Sequence, residues 1–181
     1  MIKGKFYILG VAGNGIFSST IQSFSDSPLP VNQRWSHVAA CFFNWSLNTW
    51  LVVESVYPHG VRFLSLDNWL SENWNKSIIQ FTEYPWLQPS ELLKHVGKGY
   101  SVRDIARLAT QKAIGVRFRM FPDGGKKYCA ELIADCDNEY ITKLTKEDSH
   151  ELYPFHFQNV TSYPVYDLRP LVYHTSLASA S

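Results

Sequence analysis

Charge is scarce in this chain. Asp, Glu, Lys and Arg supply 18% of its 181 residues, and the formal net charge is only +1, whereas a typical domain carries about 25% charged residues. Apart from Lys126-Lys127 there is no basic run, so the footprint that nucleic acid demands is missing and no nucleic-acid partner is expected. Cysteine is scarce too. Cys41, Cys129 and Cys136 are the only three; an odd number makes no disulfide framework, and none of them forms a close metal-ligand pair. The six histidines include no His-x-x-x-His or comparable cluster, so neither a metal nor a cofactor is expected. No apolar run is long enough to cross a bilayer, and no signal-peptide pattern opens the chain. The expectation is a protein without a transmembrane segment, cytoplasmic or exported by other means. The early glycines, Gly10, Gly13 and Gly15, precede no Gly-Lys-Ser/Thr and do not follow the dinucleotide spacing, so they are expected to form a turn and not a phosphate loop.

What is present is apolar and aromatic. Apolar residues make up 45% and aromatics 15%, and a chain of this length buries a sufficient core without disulfides or metals. One domain spanning residues 1–181 is expected, with no internal repeat and no low-complexity linker. The aromatic surplus suits a cleft or partner contact as well as a core rich in rings.

The pattern predicts a strand at Phe6 to Leu9, a turn at Gly10 to Gly15, a brief helix at Ile16 to Phe24 and a loop from Ser25 to Arg34. Strands at Trp35 to Phe43 and Trp50 to Tyr57 are expected to pair as a hairpin, with Val61 to Leu64 extending the meander. Alternation puts His37, Ala39, Cys41 and Phe43 on one face of the first strand, and Trp50, Val52, Glu54 and Val56 on the same face of the second. His37 and Glu54 are thereby expected to be neighbours. A short helix follows at Leu66 to Trp74, capped by Ser65 or Asp67, and then a strand at Ser77 to Tyr84. A turn of helix is expected at Ser90 to Val96. The clearest helix runs from Ser101 to Ala113, with Ser101 and Asp104 as a capping pair and Gly115 as its end. Beyond the aromatic run Leu152 to Phe157, Pro164 to Leu168 is expected as a final strand or strap.

From Cys129 onward apolar residues recur at 129, 132, 133 and 136, the spacing of one helical face. Cys129 therefore opens a helix, where unpaired N–H groups and the positive dipole end favour a thiolate. A cysteine on an apolar helix face is commonly a small core residue, so chemistry requires a base from elsewhere. His37 supplies an imidazole. Glu54, in the apolar run Leu51 to Val56, is costly to bury unless paired, and the histidine is a suitable partner that it would orient. Arg62 is the alternative partner. Glu131 falls in the first turn of the cysteine helix, where a carboxylate is stabilising, and is expected to be structural. His59, His95, His150, His156 and His174 lack a comparable setting.

Three segments, Trp35-Ser36-His37-Val38-Ala39, Val52-Val53-Glu54-Ser55-Val56 and Tyr128-Cys129-Ala130-Glu131-Leu132-Ile133, occur in the order of a known family. The chain resembles the circularly permuted papain-like thiol hydrolases related to the NlpC/P60 group, in their YiiX/YebB-like branch, over residues 4 to about 170. The resemblance implies an α+β, circularly permuted papain-like (NlpC/P60-like) fold, with an antiparallel sheet packed against helices. It implies a cysteine peptidase or amidase with Cys129 as nucleophile, His37 as base and Glu54 as the orienting residue. The substrates it implies are a peptide, a peptidoglycan fragment or an acyl lipid. Two positions depart from the family: Lys5 where an aspartate follows the early glycine, and Ala130 where a serine follows the cysteine.

Overall fold

The computed structural model describes residues 1–13, 16–23, 28–114, 125–160 and 164–169. The architecture is α+β, built on a six-stranded antiparallel sheet. Its strands are β1 (Phe6–Ala12), β2 (His37–Asn44), β3 (Thr49–Val56), β4 (Gly60–Ser65), β5 (Ile78–Glu83) and β6 (Tyr166–Asp167), in the spatial order β4-β3-β2-β1-β5-β6. The helices are α1 (Ile16–Ser23), α2 (Leu66–Asn73), α3 (Pro89–Lys94), α4 (Val102–Ile114), α5 (Cys129–Asp135), α6 (Tyr140–Thr145) and α7 (Pro154–Val160). Among the described residues no helix is long and apolar enough to cross a membrane.

Both faces of the sheet are covered, which is why its central strands read as apolar runs. Ile8, Val38, Ala40, Phe42, Leu51 and Val53 share a core with Cys129, Leu132 and Ile133 of α5. On the opposite face Leu9, Ala39, Cys41, Val52 and Ile79 pack with Trp69 and Leu70 of α2. Leu132 and Ile133 are fully buried. Each such side chain contributes about 1.5–3 kcal/mol by leaving water, so α5 is held by packing more than by its short run of helical hydrogen bonds.

The β2–β3 hairpin has the expected facing, with Cys41 opposite Val52 and Phe43 opposite Trp50. Ser65 caps α2, accepting from the Asn68 N–H at 3.2 Å. Ser101 accepts from the Asp104 N–H at 3.2 Å and donates back to the Asp104 carboxylate. The first strand differs from expectation: it continues through Gly10 to Ala12 instead of turning. Gly10 is there because the Trp35 ring lies where its Cβ would project, a close approach that glycine alone permits. The aromatic run near the end, to which the sequence assigned no element, enters α7 at Pro154, and its Phe155 and Phe157 are buried. The expected helix end at Gly115 lies outside the described residues.

Candidate active site

The site begins with how α5 is positioned. The carbonyl of Lys127 accepts from Ser55 Oγ at 2.5 Å and from the Ser101 N–H at 3.3 Å, while the Lys127 N–H donates to Gly99 at 3.0 Å. Tyr128 is fully buried and its hydroxyl donates to the Leu152 carbonyl at 2.8 Å. The residues just before Cys129 are thus tied to β3, to the segment before α4 and to the segment before α7. Cys129 itself is 1% exposed.

His37 and Glu54 belong to the sheet. By alternation both side chains lie on the face covered by α2, while α5 packs on the other. His37 reaches Cys129 because it is the first residue of β2 and stands at the end of the sheet. His37 Nε2 lies 2.7 Å from Glu54 Oε2, and the ring also hydrogen-bonds the Cys129 side chain. Burial pushes the imidazole down, but hydrogen bonds to Cys129 and Glu54, together with their charges, outweigh it and raise it to about 10. The raised value favours the imidazolium form at neutral pH.

Glu54 is 1% exposed and fully engaged. Oε2 accepts from His37 and from Trp69 Nε1 at 2.8 Å, while Oε1 accepts from Arg62 Nε at 3.0 Å and Nη2 at 2.6 Å. Burial pushes this carboxyl up, yet the hydrogen bond and charge of His37, then the Arg62 and Trp69 hydrogen bonds, bring it down to about 2. Arg62 was the rival partner on sequence grounds; the carboxylate has two oxygens and takes both. Arg62 also bridges to Glu72.

The structure brings together all three expected residues, adds Arg62, which the sequence offered as the rival partner of Glu54, and adds two that sequence reasoning did not place there. Arg62 had a signal, since it lies directly opposite Glu54 on β4. Trp69 and Tyr100 had none, because each comes from a separate segment. Tyr100 is half-buried, and its phenol is pushed up by burial and by the charge of Cys129, so it is a neutral hydroxyl beside the sulfur. The other cysteines are set apart. Cys41 is fully buried and driven upward by burial, and Cys136 is pushed up to about 12 by burial and by the charges of Asp135 and its neighbours.

Glu131 keeps the expected structural role. Its Oε1 accepts from Lys127 Nζ at 2.9 Å, and Lys127 also pairs with Asp135 at 2.6 Å. Its Oε2 is buried with no partner among the described residues, and burial raises its carboxyl above the ordinary value. His156 accepts from the Tyr153 N–H, and His95 contacts Lys98; His174 lies outside the described residues. Among those residues no group of three or more His, Cys, Asp or Glu is placed to hold a metal ion.

A cavity of about 340 Å³ opens at this end of the sheet, lined by His37, Glu54, Tyr100 and Arg62 among others. It lies next to the imidazole, so a bound carbonyl there is within reach of the one ring that contacts both Glu54 and Cys129. No family model and no curated protein matches the chain.

Proposed function

We propose that this protein is a cysteine-nucleophile hydrolase that cleaves an amide bond, of peptide or peptidoglycan type, through a Cys129-His37-Glu54 triad on a circularly permuted papain-like, NlpC/P60-related fold. The observation that carries the proposal is His37 standing between Glu54, at 2.7 Å, and Cys129. With Nε2 held by Glu54, Nδ1 is the nitrogen available to exchange a proton with the thiol. The Cys129 thiolate attacks the carbonyl carbon and forms a carbon–sulfur bond. His37 donates its proton to the leaving nitrogen as the carbon–nitrogen bond breaks. Neutral His37 then takes a proton from water, which hydrolyses the thioester and frees the acid. The Lys76 ammonium in the cavity wall favours an amide with a polar substituent over a purely apolar acyl lipid.

A second reading has one observation in its favour. Cys129 is 1% exposed, which also suits a non-enzymatic binding or structural module that has kept the fold. Turnover separates the two. Cys129→Ala and His37→Ala are each expected to abolish Cys129-dependent amide or ester cleavage while circular dichroism stays native. Turnover retained in either variant refutes the triad.

A further inference from the structure

The cavity beside His37 has a divided wall. Val11, Ile21, Val56, Val102 and Ile105 make one part apolar, and the end of α2 with the turn after it adds Glu72, Asn73 and Lys76. Most of the polar groups are already occupied. Arg62 is spent on Glu54 and Glu72, Glu54 accepts from His37, Trp69 and Arg62, and Asn73 donates to the Trp69 carbonyl at 2.9 Å. Lys76 is different. Its nearest acidic neighbour in the chain, Glu72, is bridged to Arg62, and among the described residues no carboxylate pairs with the Lys76 ammonium.

A half-buried cation on a partly apolar wall attracts an anion more strongly than one in open solvent does, because the surrounding low-polarity groups screen it less. The two carboxylates of the wall, Glu54 and Glu72, are both engaged by Arg62. A ligand that fills this space with an apolar body and extends a carboxylate toward α2 satisfies both parts of the lining.

We infer that Lys76 is a specificity residue that anchors a carboxylate of the substrate, so that the pocket takes an amide with an apolar body and a carboxylate set apart from the scissile bond. The inference rests on the proposed function for where that bond lies. The carboxylate belongs to the acyl side or to the amine side of the amide, and the same probes tell these apart.

Binding of three anilides of one chain length to the Cys129→Ala protein tests it: hexananilide, the monoanilide of adipic acid, and N-hexanoyl-4-aminobenzoate. One of the two anionic probes is expected to bind roughly tenfold more tightly than the neutral one, as one partly shielded ion pair allows. That preference is expected to vanish in Lys76→Met and to persist in Lys76→Arg. The anionic probe that shows it identifies the side bearing the carboxylate. Equal binding of all three, or a preference that survives Lys76→Met, overturns the anchor. Release of the amine by the protein with Cys129 intact, aniline from the first two probes and 4-aminobenzoate from the third, is read in parallel. Lys76-dependent binding without any release overturns the hydrolase function and leaves the anchor standing, whereas release with no Lys76-dependent preference overturns the anchor alone.

Discussion

Glu54 and Arg62 face each other directly across β3 and β4, and Arg62 holds only one of the two carboxylate oxygens. Its Nε and Nη2 both donate to Oε1, at 3.0 and 2.6 Å, which leaves Oε2 for His37 and Trp69. This division of labour lets one buried carboxylate be neutralised and still orient an imidazole. It also makes His37 Nε2 a donor, and so fixes which tautomer the ring adopts when neutral.

Glu54→Gln is therefore expected to damage turnover through the tautomer. With its amide oxygen toward Arg62, the new NH2 group faces Trp69 Nε1 and His37 Nε2. Nε2 must then accept, and the ring proton moves to Nδ1, where it blocks proton transfer from Cys129. A fall in kcat of roughly 10³- to 10⁴-fold is expected, as for other triads that lose this carboxylate. Steady-state kinetics on the folded variant checks it, and a kcat within a few-fold of the parent value contradicts the orienting role.

Arg62→Ala removes two donors from a buried anion and the bridge to Glu72. The guanidinium is itself partly exposed, which limits the loss to about 2 kcal/mol of stability. Arg62→Lys recovers only part of it, because an ammonium lacks the planar fork. Urea unfolding midpoints at constant slope provide the measurement; an unchanged midpoint in Arg62→Ala means that Glu54 does not depend on this cation.

Stability is expected to be greatest between about pH 4.5 and 6.5 as far as this pair decides it. His37 is raised from 6.5 to about 10, so between those values the folded protein binds more protons than the unfolded one, and its contribution is complete below 6.5 and lost as pH rises toward 10. Glu54 is lowered from 4.5 to about 2; its contribution is complete above 4.5 and lost as pH falls toward 2. Unfolding free energies across pH, compared with those of His37→Ala, check the alkaline limb. A His37→Ala protein that loses stability between pH 6.5 and 10 as steeply as the parent contradicts the assignment.

The three thiols are expected to separate by reactivity. Cys41 and Cys136 are buried and pushed upward, so iodoacetamide modifies them at the rate of global unfolding. Cys129 is expected to be labelled in the native protein at neutral pH, and at least tenfold more slowly when His37 is replaced by alanine, in line with the usual contribution of a positioned base. Peptide mass mapping over time shows the order. Uniformly slow labelling of all three cysteines supports the structural module instead.

Much of this arrangement is legible in local sequence. Period-two alternation in the runs containing His37 and Glu54 put the two side chains on one face, and the 129, 132, 133, 136 spacing opened a helix at Cys129. The Ser65 and Ser101 caps were readable for the same reason, since capping depends on residues three apart. Gly10 misled that reading: a glycine beside further glycines signals a turn, and only the Trp35 ring across the sheet explains why it lies within a strand.

By itself, then, the sequence determined the β2–β3 hairpin, the helix at Cys129, the face its strand side chains take and the three residue types able to do thiol chemistry, because these follow from backbone periodicity and from the cost of burying an unpaired carboxylate. Tertiary structure alone decided that His37 meets Cys129 from the opposite side of the sheet, that Trp69 and Arg62 share Glu54 with it, and that Lys76 turns toward the same cavity. Those relations join segments far apart in the chain, and the energy that sets them lies in packing at the end of a sheet, where no local pattern records which surfaces will meet.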